Sequence, residues 1–257
     1  MNELFKGFVP THNKKCTMKF KNVEADELLT YTQVKNLDEY AGILAENTIL
    51  IDIDDKEQSD KLFKIVEDKE LICRVYETTR GKHFLFKNID ENGDVLQDIC
   101  KIHCNLACGL VADIKVGVKN SYSILKFNGK ERTILYDKFD DEEYQEVPKY
   151  LLPVKYSMDF LNMHSGDGRN QSLFNYILTL QSNDFSVYEC KECITLINDY
   201  ILDDPLEESE IDTILFPWQD NILGVGSIIV CGNKNSTVWG TGFMSNSGKF
   251  IGKKICA

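Results

Sequence analysis

The alternation of apolar and polar residues predicts a strand followed by a helix in the first half of the chain. Residues 48–53 are mostly apolar, and the run then turns acidic at Asp54 and Asp55, as in a buried strand that delivers side chains to a site at its end. Residues 58–69 place apolar side chains at helical spacing among Lys, Asp and Glu. We therefore expect this helix to cover one face of the sheet that contains the strand.

Further strands are predicted around two turns. Residues 71–77 and 83–87 are β-prone and flank a turn-like segment, so they should form an antiparallel pair. Strands are also expected at 110–116, 122–127 and 132–137. Asn128-Gly129 stands between the last two, and this dipeptide is the strongest short-range hairpin signal. The pattern favours a mixed or antiparallel sheet with flanking helices.

The pattern changes after Pro153, and residues 154–169 are interpreted as a linker. Residues 170–215 contain three apolar repeats at helical spacing, and Ser186 and Glu189 form a capping box before the second. Residues 216–257 are rich in Gly, Ser and Asn and show no clean period. The sequence thus predicts an α+β protein with a domain at 1–153, a small C-terminal helical bundle at 170–215, and an irregular tail.

Charge and cysteine content narrow the class of protein. The chain carries a formal net charge of −12, which argues against a surface that binds nucleic acid everywhere. Lysines concentrate within residues 14–21, so nucleic-acid contact should be local, although a solvated charge run is an equally good interpretation. An odd number of cysteines and no signal peptide favour a reducing cytoplasm. No apolar run reaches the length of a membrane helix, so no membrane partner is expected.

Three aspartates form the candidate site. Asp52 and Asp54 are two residues apart on one predicted strand, so their side chains share a face, as two carboxylates that hold one metal ion require. Asp55 points away from that face. If Asp113 lies on a neighbouring strand, three carboxylates converge, enough for two Mg²⁺ or Mn²⁺ ions. An isolated Asp-x-Asp at a strand end is more often surface or turn chemistry, so the pair alone does not decide the function.

A second candidate segment is Thr79-Arg80-Gly81-Lys82-His83. It supplies a hydroxyl, a flexible glycine backbone and three potentially cationic donors, a set suited to binding a triphosphate. We expect His83 to be the side chain that touches the nucleotide. Lys115 lies two residues after Asp113, so it can share the active face and either bind phosphate or balance the carboxylates.

The order of these segments resembles the archaeo-eukaryotic primase superfamily, specifically the bifunctional primase-polymerase domain of phages, plasmids and integrated elements. The first family motif, a hydrophobic strand ending in Asp-x-Asp, is similar to residues 51–54. The second, commonly Ser-x-Gly-x-His, is similar to residues 79–83, with Thr replacing Ser and Arg where a second glycine is often found. The third is similar to residues 112–115, and residues 113–122 look like the phage branch. The resemblance covers most of residues 1–155.

The resemblance implies an RRM-like primase-polymerase fold and template-dependent nucleotidyl transfer from NTPs or dNTPs, which makes or extends primers on single-stranded DNA by a two-metal mechanism. It implies Asp52, Asp54 and Asp113 as ligands of Mg²⁺ or Mn²⁺, and His83 as a contact to the nucleotide phosphates. The segment that begins at Gly166 looks like the small helical module that follows such domains. The tail differs from the family's expected continuation, so a separate helicase is the expected partner.

Two other motifs are rejected. Residues 242–250 resemble a phosphate-binding Gly-x-x-x-x-Gly-Lys-Ser/Thr loop, but the spacing is one residue too long and Phe250 replaces the hydroxyl. Zinc is not expected as a cofactor, because the candidate ligands are crowded together and lack paired Cys-x-x-Cys knuckles. Those ligands are Cys100, His103, Cys104 and Cys108.

Two alternative functions stay open. A replication-initiation or DNA-binding accessory protein could keep a degenerate primase fold without catalysis, which suits the acidic charge and the unusual tail. A metal-dependent nuclease would also use three carboxylates. Hydrolysis needs no triphosphate pocket, however, so the segment 79–83 favours the primase-polymerase.

Overall fold

The computed structural model describes residues 4–90, 93–140 and 143–215, and beyond them the backbone of three strands. The chain divides into two units, Met1–Met163 with Leu196–Asp203 and His164–Thr195 with Asp204–Ala257. Antiparallel sheets and helices are both present, which confirms the predicted α+β class. No helix in the described ranges is long and apolar enough to cross a membrane.

The first unit contains eleven described strands, two of them only two residues long. In chain order they are β1 (Phe5–His12), β2 (Lys15–Cys16), β3 (Tyr40–Leu44), β4 (Thr48–Ile53), β5 (Arg74–Glu77), β6 (Lys82–Lys87), β7 (Lys101–Asn105), β8 (Val111–Val116), β9 (Tyr122–Phe127), β10 (Lys130–Glu131) and β11 (Ile134–Asp137). A short helix, α1 (Tyr31–Val34), follows β2, and a longer one, α2 (Lys56–Asp68), follows β4.

These strands form two antiparallel sheets. Sheet I has the order β10-β9-β3-β1-β2, and sheet II has the order β11-β5-β6-β4-β8-β7. The predicted strand at 48–53, the antiparallel pair that flanks residues 78–81, and the strand near 110–116 are all confirmed in sheet II. Strand β4 lies at its centre with every residue buried, as its apolar pattern predicts.

The two sheets share a hydrophobic core. Sheet I contributes Phe5, Tyr40, Leu44 and Leu125 to it, and sheet II contributes Leu50, Tyr76 and Leu85. Leu50 lies two residues before Asp52 on β4, so the two side chains point to the same face. The face of β4 that carries Leu50 therefore packs in the core between the sheets, and the same face carries Asp52 at the candidate site.

Helix α2 confirms the helix predicted at residues 58–69. It contacts β4 and β6 and buries Leu62, Ile65 and Val66. The side chain of Asp55 caps its first turn, because Oδ1 accepts a hydrogen bond of 2.8 Å from the backbone N–H of Gln58. Asp55 thus has a structural role away from the neighbouring aspartates, as predicted.

The predicted hairpin between residues 122–127 and 132–137 is only partly right. The Asn128-Gly129 turn does join two antiparallel strands, but the second of them is β10, which pairs with β9 for only two residues. After Arg132 and Thr133 the chain crosses to sheet II, where β11 pairs with β5. Turn chemistry is local, whereas the partner of β11 is determined by tertiary packing.

The second unit contains the three predicted helices, α3 (Arg169–Gln181), α4 (Val187–Leu196) and α5 (Glu208–Leu215). The capping box before α4 is confirmed, because Ser186 and Glu189 exchange backbone-to-side-chain hydrogen bonds of 2.6 and 3.3 Å. In the tail, where we predict no regular structure, an antiparallel sheet joins β12 (Ile228–Ile229), β13 (Val238–Met244) and β14 (Phe250–Cys256). The rest of the tail, including residues 245–249 of the rejected phosphate-loop motif, lies outside the described residues.

Candidate functional site

The registers of sheet II place the predicted site residues side by side. Asp52 on β4 pairs with His83 on β6 and with Asp113 on β8. Residues opposite each other in an antiparallel sheet share a face, and Asp54 and Lys115 share it too because they are two positions along their strands. The face that continues the inter-sheet core therefore ends in a cluster of charged side chains.

Asp52 is the buried centre of this cluster, with only 9% of its surface exposed. Its Oδ2 lies 2.6 Å from Lys115 Nζ and its Oδ1 lies 3.2 Å from His83 Nε2. The contact with His83 is not aligned as a hydrogen bond, so Oδ1 is buried without a hydrogen-bond partner. Burial raises the pKa of Asp52, but His83 and Lys115 outweigh burial and hold it well below its usual range. Asp52 is therefore a carboxylate with one oxygen available to a cation.

His83 links the two sheets at the site. Its Nδ1 lies 3.1 Å from the hydroxyl of Ser123 on β9 of sheet I, and both side chains are buried. Burial lowers the pKa of His83, although the Asp52 carboxylate opposes this shift, so burial favours the neutral ring. An ionised carboxylate only accepts hydrogen bonds. The tautomer with hydrogen on Nε2 therefore suits Asp52, and Ser123 then donates to Nδ1.

Asp54 lies at the exposed end of β4 and forms an ion pair with Arg80. Arg80 belongs to the turn between β5 and β6, where the hydroxyl of Thr78 accepts a hydrogen bond of 3.0 Å from the backbone N–H of Gly81. A Cβ at position 81 would lie 1.9 Å from the carbonyl oxygen of Ile53, so only glycine allows this turn to pass so close to β4.

The structure places one member of the predicted phosphate-binding segment, Lys82, away from the cluster. Lys82 points to the opposite face of sheet II from His83, since the two are adjacent on one strand. It forms an ion pair with Asp60 of α2 and lies 5.6 Å from the ring centroid of Phe63. Thr79 is exposed and lines the cavity described below, whereas the hydroxyl that orders the turn belongs to Thr78.

Asp113 lies on the same face of sheet II as Asp52, but its hydrogen-bond partner is on β7, the strand on the other side of β8 from β4. A register shift in β7 leaves His103 with a positive φ of 48°, and its backbone N–H donates a hydrogen bond of 2.7 Å to Asp113 Oδ1. A bulge in an edge strand commonly re-aims a backbone group in this way. One oxygen of Asp113 is therefore engaged by the backbone of β7.

A cavity of about 510 Å³ opens above the cluster, and we call it the Asp52 cavity. Asp52, Asp54 and His83 line it, together with polar residues of the 78–80 and 119–121 segments. The described residues of its wall include six cationic side chains: Lys14, Lys21, Arg80, Lys115, Lys119 and Arg132. Two aromatic rings, Phe20 and Tyr122, pack edge to face against each other in the same wall, with centroids 5.5 Å apart. A protein of net charge −12 thus has a locally cationic cavity.

Several residues of the site are absent from the sequence-based prediction. Ser123 lies in β9, and Arg132 lies where the chain passes from β10 to β11. Neither residue belongs to a motif, and no local sequence signal marks either of them. Arg132 is anchored by hydrogen bonds of 2.5 Å to the carbonyl of Ile124 and 3.2 Å to that of Glu77. The lysine run at residues 14–21 is the exception, because its concentration of charge already indicated a local contact site.

The donor set fits a divalent cation in part. Asp52 offers a buried oxygen without a hydrogen-bond partner, Asp54 lines the same cavity, and carboxylate oxygens are the ligands that Mg²⁺ and Mn²⁺ prefer. Asp113 does not line the cavity, and among the described residues no group of three or more His, Cys, Asp or Glu side chains is positioned to hold a metal ion. Asp52 and Asp54 are therefore the residues that would hold one cation. Asp113 is opposite Asp52 in the sheet but outside the cavity wall.

The candidate zinc ligands are dispersed around β7. Cys108 is fully buried, Cys100 is exposed, and Cys104 Sγ donates a hydrogen bond of 3.3 Å to the carbonyl of Ala112. Burial raises the pKa of Cys108 to about 12, so its thiol is protonated at neutral pH.

Comparisons of the chain with protein-family models, with curated proteins and with solved structures found no match. The function is therefore argued from the site itself.

Proposed function

We propose that this protein is a primase-polymerase that transfers nucleotides from NTPs or dNTPs to a primer along a single-stranded DNA template. The observation that carries the proposal is the Asp52 cavity, where two carboxylates from one strand stand among six cationic side chains. A nucleoside triphosphate with a divalent cation matches this arrangement of charge. The order of motifs resembles that of the primase superfamily, which adds the type of reaction, and the proposal includes the RRM-like fold that this resemblance implies.

The cationic side chains that now neutralise the aspartates are placed to bind phosphate. Lys115 Nζ contacts Asp52 Oδ2, and Arg80 pairs with Asp54. A cation bound by these aspartates would compete with both ion pairs, which frees the lysine and the arginine to move toward the triphosphate oxygens. Bound Mg²⁺ or Mn²⁺ would supply Lewis acidity at the phosphoryl group.

His83 is placed to donate a hydrogen bond to the same triphosphate. Its Nε2 faces Asp52 Oδ1 at 3.2 Å without an aligned hydrogen bond, so this donor has no strong partner to give up. Ser123 holds the other ring nitrogen and thereby fixes the ring orientation. A neutral donor held in place contributes orientation with little reorganisation.

The outer wall of the cavity suits the nucleic-acid strand. Lys14 and Lys21, from the lysine run, can contact backbone phosphates, and the faces of Phe20 and Tyr122 can stack on bases. A separate helicase remains the proposed partner, as the resemblance implies. Because these lysines line the same cavity as the aspartates, a template strand bound to them would lie next to the reacting nucleotide.

Primer synthesis tests the proposal. The protein is incubated with single-stranded DNA, labelled NTPs or dNTPs, and Mn²⁺ or Mg²⁺, and the labelled oligonucleotides are separated by length. We expect product from the wild type and a loss of about 100-fold or more in Asp52→Ala/Asp54→Ala, because metal and phosphate contacts are removed. Asp55→Ala is the matched control: it removes the α2 cap, at about 1 kcal/mol of stability, and should keep its activity. Equal product from the double variant and the wild type would refute the proposal.

A second candidate function is a non-catalytic DNA-binding accessory protein. The ion pairs on Asp52 and Asp54 favour it, since both carboxylates are already neutralised by side chains. It predicts tight binding of single-stranded DNA that ignores divalent cations, survives loss of Asp52, Asp54 and Asp113, and yields no product. Shortening of the DNA without added nucleotides would instead indicate a nuclease.

A further inference from the structure

A second and larger cavity lies in the first unit, with a volume of about 800 Å³. We call it the aromatic cavity, because Phe5, Phe8, Tyr31, Tyr40 and Tyr76 line it. The Phe8 ring centroid lies 6.0 Å from those of both Tyr31 and Tyr40. Tyr31 is 48% exposed, although aromatic side chains of this size usually lose most of their surface to packing.

The polar groups of this cavity lie at the edges of its rings. The Glu131 carboxylate accepts hydrogen bonds of 3.3 Å from Tyr40 and 3.5 Å from Tyr31. Arg74 donates to the hydroxyl of Tyr76 at 3.3 Å. A ligand here therefore meets apolar ring faces bordered by donors and acceptors, which is the pattern that a flat heteroaromatic ring requires.

Arg132 joins the aromatic cavity to the Asp52 cavity, since its side chain lines both. Two backbone carbonyls anchor its guanidinium, so it is a fixed cationic wall. Lys6 and Arg74 are further cations in the wall of the aromatic cavity, which also contains the carboxylates of Asp26 and Glu131. A strand whose phosphates contact Arg132 in the Asp52 cavity thus has a neighbouring aromatic surface within reach.

We propose that the aromatic cavity binds an unpaired base of the single-stranded nucleic acid whose other nucleotides occupy the Asp52 cavity. The inference rests on the proposed function, and it adds a distinct base-binding site. Stacking on aromatic faces accepts any base, because every base has a π-face. The cationic side chains of this wall, Lys6, Arg74 and Arg132, outnumber its two carboxylates, which favours a nucleic-acid strand over an apolar peptide segment.

The first test compares two substitutions of Tyr31, which is exposed enough for its loss to be tolerated. Tyr31→Ala should weaken binding of a fluorescein-labelled oligothymidylate, measured by anisotropy, by roughly tenfold. Tyr31→Phe keeps the ring and should bind within about twofold of the wild type. Tyr188→Ala, which removes an aromatic ring that is 73% exposed elsewhere, controls for general loss of surface aromatics. If Tyr31→Ala binds the oligonucleotide as tightly as the wild type, the proposal is refuted, and a peptide becomes the better occupant.

The second test uses the wild-type protein and needs no variant to fold. Oligonucleotides that carry 5-iododeoxyuridine are irradiated with the protein, and the crosslinked peptides are identified by mass spectrometry. Crosslinks at Tyr31, the exposed ring of the aromatic cavity, are expected, and crosslinks confined to the Asp52 cavity would refute the base site. Nucleotide incorporation is measured in parallel. Crosslinks at Tyr31 without incorporation would refute the proposed catalysis alone, and incorporation without them would refute the base site alone.

Discussion

Arg132 lines both the Asp52 cavity and the aromatic cavity. The two cavities differ in whether their polar groups have hydrogen-bond partners. In the aromatic cavity, Glu131 accepts hydrogen bonds from two tyrosine hydroxyls, and Arg74 is paired with the Asp137 carboxylate and also donates to Tyr76. In the Asp52 cavity, a buried carboxylate oxygen has no hydrogen-bond partner and cations crowd around it. Burial of an unpaired polar atom costs free energy. A cation or donor bound in the Asp52 cavity would offset this cost, whereas Glu131 and Arg74 of the aromatic cavity are already paired.

The comparison shows which interactions stabilise each cavity. The aromatic cavity is held by apolar packing between the sheets, and the Asp52 cavity is held by charges and by hydrogen bonds across the sheets. Variants that remove apolar volume, charge or a single hydrogen bond should therefore separate the two.

The largest effect is expected from Leu50→Ala. Leu50 is fully buried in the core that the sheets share, and its truncation leaves a void that neighbours fill only in part. We expect a loss of about 2–5 kcal/mol in the free energy of unfolding, measured by chemical denaturation. Ile102→Thr, at a side chain that is 84% exposed, should cost less than about 0.5 kcal/mol. A small loss in Leu50→Ala would mean that this core does not hold the two cavities together.

A smaller effect is expected from Lys115→Met, which removes the ion pair with Asp52 but keeps much of the side-chain volume. The carboxylate then stays buried beside a neutral His83, and we expect a loss of about 2–3 kcal/mol in unfolding free energy. Lys119→Met is the matched control in the same cavity wall. Its partner Asp98 is 3.5 Å away and almost fully exposed, so the loss should be below about 0.5 kcal/mol. Equal losses in the two variants would show that Asp52 is not the buried, charged centre of the cavity.

The smallest effect is expected from Ser123→Ala. It removes one hydrogen bond to His83, at a cost of about 1 kcal/mol, and it frees Nδ1. Imidazole ¹⁵N spectra should show hydrogen on Nε2 in the wild type and a mixture of tautomers in the variant. Ser121→Ala, in the same cavity wall, should change neither stability nor the His83 signals. An unchanged His83 tautomer in Ser123→Ala would show that sheet I does not orient this ring.

The central strands of the site could be predicted from the sequence because each carries its own signal. The apolar run of β4 ends in Asp52 and Asp54, and the period of two places them on one face. The same period applied to β6 would have shown that Lys82 and His83 point to opposite faces. Its misplacement came from treating residues 79–83 as one phosphate-binding loop, although the strand already begins at Lys82.

The parts that could not be predicted depend on contacts between distant residues. In β1, buried positions alternate with half-buried ones, but Gly7 and Pro10 weaken the apolar pattern, so sheet I had no signal there. Ser123 reaches His83 only because β9 of sheet I lies against sheet II. Arg132 reaches both cavities because the chain changes sheets beside it. No local pattern encodes these arrangements.

The passage of the chain from sheet I to sheet II between β10 and β11 limits which mutations the gene can tolerate there. Only Arg132 and Thr133 separate the last pairing residue of β10 from the first of β11, and hydrogen bonds from Arg132 to Leu125 and from Glu77 to Thr133 hold both of them in place. A single inserted or deleted codon here would shift the register of β10 or β11 by one residue and turn the side chains of that strand to the wrong face. Surface connections usually tolerate such length changes, but this one should accept substitutions and no change of length.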